Sequence, residues 1–291
     1  MIIMDGKGLS AKIKDELKSE IDGYEKKPIL AVITIGDDEA SKVYVNNKKK
    51  SCEYVGISFL HFDYVSNVKE KEVIEKIEEL NSDSGISGII VQLPLPNKFD
   101  TRKIVNTISP LKDVDALTDT SIGKMMSEEC VFVPCTPKGI MELLDYYKID
   151  LTGKHVVIVG RSNLVGRPVL QECLKKNATV TICHSKTVDL YKHTKDADVL
   201  IVATGKKHLI DKSMIKKDVV IIDVGINRED GKLYGDVNPN VEEICSYLTP
   251  VPGGVGPMTV VMLLKNTLTA FKIMNGIKDE WGNWKKHYKN L

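Results

Sequence analysis

The stretch HVVIVGRSNLVGRP, residues 155–168, decides how this chain is read. Val156 to Val159 is a short β-branched run, the composition of a strand buried on both faces. Gly160 ends the run, and Arg161, Ser162 and Asn163 suit a turn. Val165 then opens a helix reaching toward Asn177, with Gly166 in its first turn. A strand, a glycine turn and a helix N-terminus leave unpaired N–H groups pointing outward, which makes an anion site. The spacing is Gly160-x5-Gly166, not G-x-G-x-x-G. The stretch therefore fits a dinucleotide site and, equally, a plain βα turn packed through glycines.

Outward from this point the alternation continues. Thr179 to Cys183, Val199 to Ala203 and Val219 to Val224 are further strands with helices fitting between them, a doubly wound pattern. The first of these runs into Cys183-His184-Ser185-Lys186-Thr187. In sheets that bind NAD an acid near this position holds the ribose 2′-hydroxyl. Here Ser185 and Lys186 stand in its place and, with Arg161, suit a 2′-phosphate, which favours NADP over NAD. Ala203-Thr204-Gly205 and Asp223-Val224-Gly225-Ile226-Asn227 end the next two strands, with glycines that allow close approach of a ligand. Thr249 to Thr259, TPVPGGVGPMT, is too rich in proline and glycine to lie within regular structure, and a helix follows from Met258 to about Met274. Gly276 to Leu291, with Trp281 and Trp284, is a polar tail.

The N-terminal half reads as a second α/β unit. A helix over Ser10–Tyr24 precedes a strand at Ile29–Ile35. A helix over Ser41–Tyr54, capped by Asp38 or Ser41, places Tyr44 and Lys48 on one face. A strand at Ile57–Phe62, a helix over Val68–Leu80 and a strand at Gly88–Leu93 complete a β-α-β-α-β order and hence a parallel sheet. Gln92 sits at the carboxyl end of that last strand, where it either enters a ligand cleft or simply meets water. After a short helix at Thr101–Ile108, the loop Lys112-Asp113-Val114-Asp115-Ala116 carries two acids. Such acids can bind a metal, hydrogen-bond a nitrogen-rich ring or cap a turn. Phe132 to Lys138 is a proline-bracketed loop, and a helix over Gly139–Tyr147 joins the halves.

Composition narrows the function. Lys+Arg number 41 against 40 Asp+Glu, a net charge of +1, so nucleic acid is not a favoured partner. The six cysteines form no C-x-x-C and no zinc spacing, and read as buried apolar residues in a reducing compartment. MIIMDGKGLS is not a signal peptide, and no apolar run suits a membrane span. A soluble cytoplasmic protein that makes no membrane contact is expected.

Several of these stretches line up with one family. They are Tyr44-x3-Lys48, Val91-Gln92-Leu93-Pro94-Leu95-Pro96, Lys112-Asp113-Val114-Asp115, Pro134 to Gly139, Gly160-Arg161-Ser162, Cys183 to Thr187, and Thr249 to Thr259. In this order, and over nearly the whole chain, the sequence resembles the bifunctional methylenetetrahydrofolate dehydrogenase/methenyltetrahydrofolate cyclohydrolase family, the FolD-type enzymes. The resemblance implies NADP-dependent oxidation of 5,10-methylenetetrahydrofolate to the methenyl form, then hydrolysis to 10-formyltetrahydrofolate. It implies an N-terminal parallel α/β catalytic domain, a Rossmann-type NAD(P)-binding domain, a cleft between them and a homodimer. The domains are expected at 1–148, with a C-terminal helix and tail at 268–291 packing back on it, and at 149–267.

The same resemblance implies the site residues. Lys48 is the catalytic lysine and Gln92 orients it. Tyr44 packs on the folate's aromatic ring, and Asp115 accepts hydrogen bonds from the pterin. Val91, Leu93, Pro252, Gly253, Gly254 and Pro257 also line the substrate. Gly160, Arg161, Ser162, Gly166, Ser185 and Ile226 hold NADP, and no metal is implied. Hydride loss mainly needs positioning, whereas water addition and ring opening need proton transfers. The chain departs from the family at Ala116, where glycine is usual, and over Thr118 to Met126, in the loop expected beside the pterin. Three other readings stand against this one: a family member with one activity or an NAD preference, a non-catalytic binding protein, and a generic dehydrogenase for a hydroxy or amino acid. The presence of Lys48 and the absence of a His-Asp pair near the cofactor motifs count against the last two.

Overall fold

A computed structural model describes residues 1–277. In chain order the elements begin with β1 (Ile2–Ile3), α1 (Gly6–Asp22), β2 (Ile29–Ile35), α2 (Glu39–Val55), β3 (Ser58–Tyr64), α3 (Glu70–Ser82) and β4 (Gly88–Val91). Then come α4 (Thr101–Asn106), α5 (Asp119–Met126), α6 (Cys135–Tyr146), β5 (His155–Val159), α7 (Gly166–Lys175), β6 (Thr179–Cys183), α8 (Leu190–Thr194) and β7 (Val199–Val202). The series ends with β8 (Val220–Asp223), β9 (Asn227–Glu229), β10 (Lys232–Tyr234), β11 (Tyr247–Leu248) and α9 (Val255–Met274). The chain divides into two compact units. One joins Met1–Ala11 to Pro134–Thr259, and the other joins Lys12–Val133 to the described residues from Val260 onward.

The second of these is built on a three-stranded parallel sheet in the order β3-β2-β4. The central strand, ILAVITI, is buried along nearly all its length. Helix α3 lays Val73, Ile77 and Leu80 on the sheet, the one-face spacing its sequence shows. Each such side chain contributes roughly 1.5–3 kcal/mol by leaving water. Helix α2 begins where the Asp38 carboxylate accepts from the Ser41 N–H at 2.7 Å, and stops at Gly56, whose φ of 85° is left-handed. Residues 119–126, expected as a loop, are helix α5. The Thr118 hydroxyl accepts from Ser121 N and starts it. In this unit Phe271 of α9 meets Tyr24 with ring centroids 5.4 Å apart, and Lys272 pairs with Glu20.

The other unit carries a six-stranded parallel sheet in the order β1-β11-β8-β7-β5-β6. Its core gathers Val157, Val159, Leu200, Val202 and Ile221. Strands β5 to β8 lie where the β-branched runs predict them. The two-residue strands β1 and β11 and the β9–β10 hairpin are additions, too short to leave a periodicity. No α-helix joins β7 to β8. The connection holds one 3-10 turn, Lys212–Met214, and is tied down where Ile210 pairs with Val237.

Two expected loops are helix starts. Helix α6 begins at Cys135 and α9 at Val255, each with proline (Pro137, Pro257) at its third position. An N–H there has no partner within the helix, so proline loses nothing by lacking it. The division between units falls at 133/134 and 259/260 instead of 148/149 and 267/268, and the first eleven residues join the six-stranded unit. The causes are packing of α6 on α7 and pairing of β1 with β11. Residues 278–291, with Trp281 and Trp284, lie outside the described residues.

Candidate active site

The three-stranded unit brings Lys48 and Gln92 together. Lys48 Nζ donates to Gln92 Oε1 at 2.9 Å, and Gln92 Nε2 donates to the Leu93 carbonyl at 2.8 Å. An ammonium can only donate, so it selects the oxygen end of the amide and leaves the NH2 for Leu93. The Gln92 backbone is itself anchored, donating to the Ile33 carbonyl of β2 at 2.9 Å. Gln92 thus meets a side chain rather than only water at the strand end. Tyr44, one turn before Lys48 on α2, is 43 % exposed, and its ring is free to cover a flat ligand.

The two acids after β4 separate by their partners. Asp113 is buried, and its carboxylate accepts from Leu117 N (3.1 Å), Thr118 N (2.9 Å) and Ser121 Oγ (2.6 Å). Burial pushes this carboxyl above its usual range against those hydrogen bonds. It is the turn-holding acid. Asp115 is half-buried and, among the described residues, receives no hydrogen bond at its carboxylate. Its acceptor capacity is available to a ligand, and it lines a small cavity with Val91.

The loop carrying Asp115 is clamped by two further buried polar groups. Lys112 Nζ donates to the carbonyls of Leu80, Asn81 and Asp83 at 2.8, 2.8 and 2.6 Å, closing the C-terminus of α3, and its burial lowers the ammonium's pKa. Asn266 Nδ2, from α9, donates to the Val114 carbonyl at 2.8 Å. Ala116 is buried with a φ of 55°, a conformation that suits glycine.

In the six-stranded unit the site residues end parallel strands. Gly160, at the end of β5, has a φ of 129°, and a Cβ there would sit 2.2 Å from the Ala203 carbonyl oxygen. A Cβ on Gly166 would sit 2.1 Å from the Gly160 carbonyl oxygen. The turn therefore has no room for side chains at either glycine, and the N-terminus of α7 opens beside it. Ser162 Oγ accepts from Val165 N at 3.2 Å and keeps its O–H to donate. Arg161, Ser185 and Lys186 are exposed. The Ser185 turn is fixed by Thr187, whose Oγ1 accepts from His184 N at 2.8 Å. Ile226 is 46 % exposed at the end of β8, an apolar side chain facing outward. A cradle closed to Cβ atoms, a helix N-terminus, two cations and an exposed aliphatic face fit a phosphorylated dinucleotide.

In the same unit Pro252, Gly253 and Gly254 form a tight turn. Gly253 has a φ of 111° and its carbonyl accepts from Lys7 N at 2.8 Å, while Gly254 N donates to Pro250 at 2.8 Å. Pro257 lies in the first turn of α9.

Two family models match the chain. The catalytic domain of tetrahydrofolate dehydrogenase/cyclohydrolase matches residues 4–115, and the NAD(P)-binding domain of the same enzymes matches residues 134–275. The chain belongs to the tetrahydrofolate dehydrogenase/cyclohydrolase family. The bifunctional protein FolD of Caldanaerobacter subterraneus is 50 % identical over 272 residues, covering 93 % of this chain and 97 % of that protein. The solved structure of the bifunctional FolD enzyme from Campylobacter jejuni shares 46 % identity with a TM-score of 0.90, covering 94 % and 99 % of the two chains. The Trypanosoma brucei enzyme, solved with NADP cofactor and inhibitor, shares 34 % identity with a TM-score of 0.89, covering 94 % and 97 %.

Within this family fold, Lys112, Asn266, Asp223 and Asp236 are among the buried polar residues to which the sequence alone gives no role, and Asp113 is one of two acids it does not tell apart. The signal was an ionisable or amide group inside an apolar run, as in Val219-Val220-Ile221-Ile222-Asp223.

Proposed function

We propose the following residue roles for an enzyme that carries both activities of its family: NADP-dependent oxidation of 5,10-methylenetetrahydrofolate, and hydrolysis of the methenyl product to 10-formyltetrahydrofolate. The observation that carries the assignment is the Lys48–Gln92 hydrogen bond at 2.9 Å. Water attacking the methenyl carbon must lose a proton, and the ring nitrogen that leaves must gain one. Lys48, one turn from Tyr44 on α2, is the group that moves those protons. Gln92 fixes the position of Nζ through a side chain that is itself held by Leu93.

Asp115 accepts from the pterin's N–H groups, which form a planar donor edge, and Tyr44 packs on the aromatic ring of the folate. Val91, Leu93, Pro252, Gly253, Gly254 and Pro257 contact the substrate through backbone and apolar atoms. Gly160, Arg161, Ser162, Gly166, Ser185 and Ile226 hold NADP, which when bound accepts the hydride. Arg161 and Ser185 take the 2′-phosphate, and Ile226 covers an apolar face. The folate-binding catalytic domain corresponds to the three-stranded unit, and the NADP-binding domain to the six-stranded one.

The enzyme works as a cytoplasmic homodimer. Among the described residues no helix is long and apolar enough to cross a membrane. Light scattering that gives the mass of one chain overturns the dimer.

An absorbance time course with 5,10-methylenetetrahydrofolate and NADP+, following NADPH and methenyl signals separately, tests the function. NADPH rising while methenyl lags behind it is expected. The two rising in equal amounts would leave a dehydrogenase without an effective cyclohydrolase.

A further inference from the structure

We propose that Asp236, a residue outside every site described so far, is the positioning residue for the dinucleotide, holding the lip of the cofactor crevice through its buried carboxylate. The inference rests on the reading that the six-stranded unit binds NADP. In its sheet β5 lies between β6 and β7, so the chain steps to opposite sides of β5 in succession. The crevice at the carboxyl ends of β5 and β7 is the switch point where open α/β sheets bind ligands. Gly160 forms one lip and Ala203-Thr204-Gly205 the other, so closely that no Cβ fits between Gly160 and Ala203.

The second lip is held by Asp236, which is fully buried. Its Oδ2 accepts from Thr204 N (2.6 Å), Thr204 Oγ1 (2.9 Å) and Gly205 N (3.0 Å). Its Oδ1 accepts from Asn227 Nδ2 at 2.9 Å. One carboxylate therefore joins the end of β7 to the residue that follows Ile226. Both oxygens accept, Oδ2 from three donors and Oδ1 from a fourth, an arrangement that a carboxylate satisfies and an amide, with one acceptor oxygen, does not. An asparagine must turn either its NH2 toward the Thr204 and Gly205 N–H groups or the same NH2 toward Asn227.

Asp236 is held in turn by Asp223. The Asp223 carboxylate accepts from Gly225 N (3.0 Å), Asp236 N (2.9 Å) and Val237 N (3.0 Å). Each carboxylate also packs against a glycine beside the other. A Cβ on Gly225 would lie 2.2 Å from Asp236 Oδ1, and one on Gly235 would lie 1.8 Å from Asp223 Oδ2. This interlock leaves the Thr204–Gly205 lip one place to sit. A lip already in its bound position costs less to order when a ligand arrives.

The test is D236N in the full chain, with NADP+ affinity measured by calorimetry and cyclohydrolase turnover measured on the methenyl substrate with no cofactor present. A loss of about tenfold or more in NADP+ affinity is expected, equivalent to about 1.4 kcal/mol. The KM for NADP+ should rise with it, while cyclohydrolase turnover stays within about twofold of the parent. Unchanged NADP+ affinity in a folded D236N overturns the inference. So does cyclohydrolase falling in step with affinity, which marks a general loss of structure. If D236N does not fold, T204S and T204V decide. Affinity should be kept in T204S and reduced severalfold in T204V, and equal affinities overturn the inference. A parent protein that binds neither NADP+ nor NAD+ overturns the underlying reading instead.

Discussion

The two units build their sites from different parts of the chain. In the three-stranded unit the proposed working atoms are side-chain atoms: a lysine Nζ, a glutamine amide, a tyrosine ring and the carboxylate of Asp115, which among the described residues receives no hydrogen bond. In the six-stranded unit they combine backbone atoms at glycine-lined strand ends with the exposed side chains of Arg161, Ser185 and Ile226, and Asp223 and Asp236 are buried behind them as supports. Proton transfer needs a titratable group aimed at the reacting atom, so its side chain must remain available. Holding a dinucleotide needs close approach and fixed N–H donors at the turn, so side chains are excluded at Gly160 and Gly166 and the backbone of the opposite lip is braced from below. Side-chain identity carries the first design, and the second adds buried support to it.

The largest effect expected to separate the two designs is on Lys48. K48A should lower cyclohydrolase turnover by about 10²–10⁴-fold, the usual worth of a positioned acid–base group. Folate binding, measured by fluorescence titration, should be kept. Turnover that survives with binding intact removes the lysine from its role. Next comes R161A, expected to weaken NADP+ binding by about 10–100-fold while leaving NAD+ nearly unchanged, as loss of a charged hydrogen bond to a phosphate does. Equal losses for both dinucleotides in calorimetry would place Arg161 away from the 2′-phosphate.

A third test concerns the supports. Burial pushes the Asp223 carboxyl from 3.8 up to about 6, outweighing the three N–H groups that donate to it. Between those values the folded chain holds this proton more tightly than the unfolded chain. The Asp223 contribution is therefore most favourable at pH 4 and below, declines as pH rises toward 6, and is lost above it. The total is at most about 3 kcal/mol. D223N cannot titrate, so the stability difference between the parent and D223N, from urea unfolding, should move against the parent between pH 4 and pH 7. A difference independent of pH would show that Asp223 is not perturbed. The smallest effect is at Ala116, whose φ of 55° strains a residue with a Cβ. A116G should raise stability by up to about 1 kcal/mol, because relief of strain outweighs the entropy of glycine in the unfolded chain. A lower melting temperature for A116G would show that the loop does not strain alanine.

The same contrast governs what could be read from sequence. Strands β2 and β5 to β8 are β-branched runs long enough to declare themselves, and α3 shows its buried face by spacing. Strands β1 and β11 have two residues each and pair only because distant segments meet, as Ile2 does with Tyr247. The starts of α6 and α9 were hidden because proline in a first turn looks like loop chemistry. The Lys48–Gln92 hydrogen bond was legible through the motifs that contain the two residues. Asp236 was not, because its partners Thr204 and Gly205 lie 32 and 31 residues away, and nothing local marks a carboxylate as a brace. The two acids of the Lys112–Asp115 loop looked equivalent in sequence. The hydrogen bonds to Asp113 tell them apart.

The measurement that bears most directly on the division between the two designs is a crossed one. K48A and R161A are assayed side by side for cofactor-free cyclohydrolase turnover and for NADP+ affinity. K48A should lose the turnover and keep the affinity, and R161A should do the reverse. If both variants lose both properties in parallel, the two units do not hold separable halves of the chemistry.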